Sequence, residues 1–166
     1  MTDRLLPQDI EDLARRVIEA NAAAGRKIAL AESCTGGLVA AALTEIPGSS
    51  AVLDRGFVTY SNEAKMELLG VPSDIIEAFG AVSIACAWAM AQGALKNSRA
   101  DVAVAVSGVA GPGGGTEHKP VGTVVFARAV RDQQGDPDGE IYRYGDIGRA
   151  GVRRQAALCA LELLLP

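Results

Sequence analysis

Two kinds of apolar pattern divide the chain. Between Asp9 and Ala24, the residues Ile10, Leu13, Ala14, Val17 and Ile18 recur at helical spacing, with Glu11, Asp12, Arg15, Arg16 and Glu19 around them. This is an amphipathic helix, and Gly25 is placed to end it. Ile28 to Ala31 and Val102 to Val106 are instead short unbroken apolar runs, the pattern of strands covered on both faces. Val52 to Tyr60 and Val121 to Ala127 carry β-branched and aromatic residues and read as strands. Glu140 to Ile147 reads as an edge strand with Tyr142 and Tyr144 on one side. Helical stretches fill the intervals: Leu38 to about Glu45, Asn62 to Leu69 between a Ser61 cap and a Gly70 stop, Asp74 to Phe79, Ile84 to about Asn97 behind Ser83, and Ala150 to Leu164. Pro47 to Ser50 and the polar stretch Asp132 to Gly139 are turn chemistry.

The resulting order, α-β-α-β-α-α-α-β-β-β-α, predicts an α/β fold. Its form is a three-layer α/β/α domain around a mixed sheet of about five strands, because the last strands are joined by connections too short for a crossover helix. A length of 166 residues predicts one domain over 1–166. The apolar fraction of 49% against 22% charged is an ordinary globular balance, and the net charge of −4 argues against a chain-wide attraction to nucleic acid or an anionic membrane. No apolar run reaches bilayer length, and the segment Met1 to Leu5 lacks the apolar core of a signal peptide. The three cysteines, Cys34, Cys86 and Cys159, form neither a paired disulfide framework nor a C-x-x-C metal pattern. They point to a reducing, cytoplasmic setting, with Cys86 and Cys159 as buried core thiols.

The turn between the Ile28 strand and the Leu38 helix carries Glu32, Ser33, Cys34, Thr35, Gly36 and Gly37. Such a turn lies at the carboxyl edge of a sheet, where open α/β folds bind ligands, and the first amides of the helix face what sits there. Ser33 and Cys34 are both potential nucleophiles. A serine needs a base beside it. The only histidine, His118, lies in a polar loop and reads as solvated. A lysine made neutral by burial is the other source of a base. Lys65, one turn into the helix after the Tyr60 strand end, is the best placed, although spacing alone favours a surface charge at Lys65 and an interfacial aromatic at Tyr60. Cys34 reads more readily as a packing residue. Glu32 either orients a base, or binds a substrate hydroxyl, or caps the helix. The loop Gly111 to Gly115 matches neither a Walker A pattern nor a G-x-G-x-x-G strand–helix turn, and reads as a loop that closes over a site. Ser107, at the end of the preceding strand, shares the carboxyl edge. Arg149, Arg153 and Arg154 start the last helix, either as phosphate donors or as a solvated charged face.

Four motifs in sequence, Ala31–Gly37 (AESCTGG), Gly56–Lys65 (GFVTYSNEAK), Ser107–Pro112 (SGVAGP) and Lys119–Val124 (KPVGTV), resemble the CinA C-terminal domain family. The resemblance runs through nearly the whole chain. Enzymatic members of that family are nicotinamide-nucleotide amidohydrolases. The resemblance therefore implies deamidation of nicotinamide mononucleotide to nicotinate mononucleotide and ammonia, in pyridine-nucleotide salvage, with no metal and no cofactor. It implies a serine nucleophile helped by a lysine and a tyrosine, which fall on Ser33, Lys65 and Tyr60, with Ser107 as a further participant. On that basis the amides near Thr35 and Gly36 stabilise the oxyanion, Glu32 lies near the pyridinium charge, and Gly111, Gly113, Arg149 and Arg153 meet the rest of the substrate. The expected partner is this small molecule, with no nucleic acid and no membrane, and self-association into a homo-oligomer is expected. A different class, a non-catalytic nucleotide-binding or competence-damage-associated interaction module of the same fold, is the alternative. An amidase for another pyridine or amino-acid amide is a third possibility.

Overall fold

A computed structural model of the chain describes residues 3–166; the part of the N-terminal reading that rests on Met1 and Thr2 lies outside the described residues. The elements follow the expected order. They are α1 (Gln8–Ala23), β1 (Ile28–Glu32), α2 (Leu38–Thr44), β2 (Leu53–Val58), α3 (Asn62–Leu69), α4 (Ser73–Phe79), α5 (Ile84–Lys96), β3 (Val102–Gly108), β4 (Thr123–Val130), β5 (Asp138–Arg143) and α6 (Arg149–Leu163). A short 3-10 turn at Ser49–Ala51 follows α2, within the stretch read as turn chemistry. The strands form a five-stranded sheet in the order β2-β1-β3-β4-β5. β1 runs parallel to β2 and β3, while β4 and β5 are antiparallel additions, so the sheet is mixed.

Alternation along the central strands sets the two helical layers. Ile28 and Leu30 of β1 and Val102, Val104 and Val106 of β3 point to the α1, α2 and α6 side, where they pack with Val17, Val39 and Leu161. The intervening residues on the other face are all alanine: Ala29, Ala31, Ala103 and Ala105, continued on β4 by Ala127 and Ala129. They meet Ala87, Met90, Ala91 and Ala94 of α5. Small residues on both sides let α5 lie close to the sheet, since close packing leaves no gap for missing side-chain volume.

α3 is closed at both ends by local signals. The Ser61 hydroxyl accepts the Ala64 amide at 3.0 Å, and Gly70 takes a left-handed conformation with φ +66° that ends the helix. α5 begins in the same way, with the Ser83 hydroxyl accepting the Cys86 amide at 3.1 Å.

Three strands, β2, β4 and β5, differ in their bounds from expectation. β4 starts at Thr123 rather than Val121, because Gly122 turns the chain with φ +93°. β2 stops at Val58, although the Thr59 amide still reaches the Glu32 carbonyl at 2.9 Å. β5 starts at Asp138 rather than Glu140, since Asp138 and Gly139 pair with Arg128 and Ala127, and it ends at Arg143. Tyr144 thus leaves the ladder yet stacks on Tyr142, with ring centroids 5.8 Å apart and planes within 4°. Cys86 is buried as expected, whereas Cys159 is only half-buried, on a face of α6 that meets these tyrosines. No helix among the described residues is long and apolar enough to cross a membrane.

Gly93 holds α3 against α5. A β-carbon built on it would lie 2.0 Å from the carbonyl oxygen of Leu69, at the end of α3. Gly93→Ala should therefore push α3 outward at a cost of about 1–3 kcal/mol. For a chain of this size that lowers the melting temperature by roughly 2–4 °C per kcal/mol, read by thermal unfolding.

Candidate active site

Three chain segments meet at the carboxyl edge of β1 and β3. The strand–helix turn supplies Ser33 and Cys34, the β2–α3 corner supplies Tyr60, Asn62 and Lys65, and the end of β3 supplies Ser107 and Gly108. Together with Ala81, Val82, Ala110 and Arg149 they line a cavity of about 220 Å³.

Lys65 lies at its base. Its side chain is 1% exposed, although α3 is a surface helix. The amine nitrogen has three neighbours: the Ser33 hydroxyl oxygen at 2.9 Å, the Thr59 carbonyl at 2.8 Å and the Tyr60 carbonyl at 3.1 Å. Carbonyls only accept, so two amine N–H bonds are committed to them. The third amine contact is to Ser33 Oγ, whose own hydroxyl lies 3.5 Å from the Tyr60 carbonyl; an amine that has given up its proton accepts the Ser33 O–H there instead of donating. No salt bridge to Lys65 is present among the described residues. Burial accordingly pushes the lysine below its ordinary value, opposed only weakly by Cys86 and Cys34. A buried lysine and a buried serine, joined directly and without a carboxylate, form the arrangement in which a hydroxyl can be deprotonated near neutral pH.

The expected site residues separate into those that converge and those that do not. Ser33, Lys65, Ser107 and Tyr60 share the cavity wall. Tyr60 contributes differently from expectation. Its ring is 62% exposed and its phenol oxygen accepts from Arg149 Nη2 at 3.1 Å, while its main-chain carbonyl is what touches Lys65. The Lys65–Ser33 contact is direct, so it needs no relay through the phenol. Arg149 also donates to the Gly111 carbonyl at 2.7 Å, which ties the glycine loop to the cavity rim. Gly113, by contrast, is exposed and is not on the cavity wall.

Glu32 is not a substrate ligand in this geometry. It is 1% exposed and accepts from the Thr35 hydroxyl at 2.6 Å and from the Val39 and Ala40 amides at 3.0 and 3.1 Å. The carboxylate caps α2 and is turned away from the cavity, as the dipole of a helix start favours. Thr35 is fully buried, with its hydroxyl spent on Glu32, so it too is held inside the turn. The Gly36 amide donates to the Ser33 carbonyl at 3.0 Å and is not free for an oxyanion, and Gly36 closes this turn at φ +59°. Arg153 faces inward as well, donating to the Cys34 and Thr35 carbonyls at 3.2 and 3.3 Å. Arg154 pairs with Asp9 at 2.9 Å on the surface.

Cys34 is buried, and burial pushes its thiol up to about 11, which leaves it protonated and unreactive near neutrality. His118 is an exposed loop residue. Asn62 was not singled out from the sequence. Its place as the first residue after the Ser61 cap was the available signal, since that position opens α3 towards the strand end. Among the described residues no three His, Cys, Asp or Glu side chains gather as a metal site requires.

The fold and the site define an α/β/α protein with a serine and a buried lysine paired at the carboxyl edge of its sheet. The model of the CinA C-terminal domain matches residues 10–166, and the chain belongs to that family. It is 51% identical over 164 residues to the nicotinamide-nucleotide amidohydrolase PncC of Escherichia coli K12, covering 99% of this chain and 95% of that protein. It is 57% identical to a CinA-like protein of Mycolicibacterium paratuberculosis, but spans 37% of that protein's length, and it spans 39% of a competence-damage relative from Symbiobacterium thermophilum. Among solved structures, the competence/damage inducible protein CihA of Agrobacterium tumefaciens is similar with a TM-score of 0.92 at 55% identity, covering 97% of this chain and 96% of that one.

The amine and the fold are linked through pH. Between the lowered value of folded Lys65 and the ordinary lysine value of about 10.4, the unfolded chain binds more protons than the folded one, so stability rises with pH across that window. Denaturant midpoints measured from neutral to alkaline pH should show this rise in the native protein. Lys65→Met should remove that component of the slope.

Proposed function

We propose that this chain is an amidohydrolase that deamidates nicotinamide mononucleotide to nicotinate mononucleotide and ammonia, as a step in pyridine-nucleotide salvage. One observation carries the chemistry: the 2.9 Å contact between Lys65 Nζ and Ser33 Oγ, in a pocket where the other two neighbours of the amine are carbonyls. The substrate class rests on the likeness to PncC of Escherichia coli over almost the full length of both chains.

In this mechanism neutral Lys65 takes the Ser33 proton as Ser33 Oγ bonds to the carboxamide carbon. The carbonyl π pair moves onto oxygen. The Cys34 amide, on the cavity wall and without a main-chain acceptor among the described residues, is the main-chain donor for that oxyanion. The tetrahedral adduct collapses, the C–N bond breaks, and Lys65 returns its proton to the departing nitrogen, releasing ammonia. Water then gives a proton to Lys65 and attacks the ester carbon. The acyl–Oγ bond breaks, Ser33 recovers the proton from Lys65, and the product acid leaves, losing its remaining carboxyl proton to solvent to become nicotinate. One lysine serves as base and acid in turn, which suits an amine whose value is moved towards the working pH. Ser107 lies on the same wall within the cavity and helps to shape the space for the amide. The cavity volume suits the pyridine carboxamide, so the ribose and phosphate extend over the rim towards Arg149. The protein acts without a metal or an organic cofactor and works as a homo-oligomer in the cytoplasm.

Ammonia release from nicotinamide mononucleotide, assayed with a chelator present, tests reaction and metal independence together. Ser33→Ala and Lys65→Ala should each lower kcat by about a thousandfold or more. For the native enzyme, kcat/KM should rise with pH and level off at a midpoint below the ordinary lysine range, as loss of the lysine proton generates the base. Full activity in Ser33→Ala would sink the nucleophile assignment.

Arg149→Ala addresses the phosphate. The expected outcome is a KM for the mononucleotide raised by about tenfold or more with kcat changed little, the signature of lost ground-state binding. An equal KM for native and variant enzyme would remove Arg149 from the phosphate site.

A further inference from the structure

Arg153 has no part in the chemistry described above, yet its side chain donates to two main-chain carbonyls of the nucleophile turn. It projects from α6 and is partly buried. Its Nε donates to the Cys34 carbonyl at 3.2 Å and its Nη2 to the Thr35 carbonyl at 3.3 Å. Two adjacent carbonyls of the turn are thus held by one planar guanidinium, a fork that a lysine cannot reproduce. The neighbouring carbonyl, that of Ser33, is held by the Gly36 amide at 3.0 Å, and the Thr35 carbonyl also accepts the Leu38 amide at 3.0 Å. All three carbonyls from Ser33 to Thr35 are therefore anchored.

In a planar trans peptide the N–H points opposite to the C=O of the same unit. Anchoring the Ser33 carbonyl sets the direction of the Cys34 amide, and anchoring the Cys34 carbonyl sets that of the Thr35 amide. Neither amide has a main-chain acceptor among the described residues; Cys34 lines the cavity, whereas Thr35 is fully buried and does not. Main-chain donors without main-chain partners are uncommon inside a fold, and here both follow the serine. If the Cys34–Thr35 peptide rotated, its carbonyl would replace an N–H on the opposite side of the turn. Arg153 opposes that rotation.

We propose that Arg153 is a positioning residue for the oxyanion site: it holds the turn carbonyls towards α6 so that the turn keeps its shape and the Cys34 amide, on the cavity wall, stays aimed at the developing negative charge. This replaces its expected role as a phosphate ligand, since two of its donors face the main chain. The inference rests on the proposed serine chemistry, and it makes the interaction with α6 matter in the transition state rather than in substrate binding.

Arg153→Lys and Arg153→Ala test it. Loss of an oxyanion donor typically lowers kcat by about 100-fold to 1,000-fold, and kcat of both variants should fall by about 100-fold. KM for nicotinamide mononucleotide should stay within about threefold of native, and the pH midpoint of kcat/KM, set by Lys65, should not move. Added guanidinium should restore part of the kcat of Arg153→Ala. Labelling of Ser33 by a fluorophosphonate, which forms a P–O bond and expels fluoride through a similar charged geometry, should slow in parallel. A raised KM with native kcat would make Arg153 a substrate ligand and overturn the proposal. Native kcat with only a lower melting temperature would make it a structural tie and overturn it equally. If the native protein is labelled at Ser33 but releases no ammonia from the mononucleotide, the substrate assignment fails. Slower labelling of the two variants would then still support the positioning role.

Discussion

A primary amine buried without a counter-ion constrains everything around it. Lys65 Nζ is shielded from water and no carboxylate among the described residues pairs with it, which favours the neutral amine, with two N–H bonds to satisfy and a lone pair to place. The Thr59 and Tyr60 carbonyls do the first, at the point where β2 has stopped pairing and the chain turns into α3. Ser33 does the second. The early end of β2 is thus linked to the chemistry: with the strand over, the main-chain oxygens of residues 59 and 60 are available to the lysine.

Placing that amine depends on small residues some distance away. The alanine face of β1, β3 and β4 lets α5 approach the sheet, and Gly93 lets α3 approach α5. Each step is a matter of absent methyl groups, and together they carry the Lys65 side chain from a surface helix to the serine. On the other side of the sheet larger residues fill the space, and the polar groups of the turn are taken up by Glu32 and Arg153. Ser33 therefore stands between a rigid turn on one side and a closely docked helix on the other.

Much of this was legible in the sequence where the signal was local. Ser61 and Gly70 bounded α3 to the residue, the order of elements gave the mixed sheet, and an apolar run ending in AESCTGG located the turn. Residues whose roles depend on contacts far along the chain were less legible. Arg153 meets Cys34 across 119 positions, and nothing near it distinguishes an inward guanidinium from an exposed one. Glu32 was compatible with capping or with ligand binding, and only the direction of α2 decides for capping. Tyr60 was expected to act through its phenol but touches the lysine through its carbonyl, an atom every residue possesses and no sequence pattern can mark. Family resemblance brought Lys65 forward where spacing favoured a surface role. The geometry gives the physical reason: the helix is docked on its lysine side.

α3 is eight residues long, and helices of that length are marginal on their own in water. The proposed base is therefore mounted on an element that exists only while its neighbours hold it, and the same contacts that fold the helix lower the proton affinity of the amine. A chain that has lost the α3–α5 contact keeps a serine and a lysine but holds neither in a reactive state: the amine is solvated and charged, and the hydroxyl is inert. Chemical competence here is a property of the assembled domain and not of its residues.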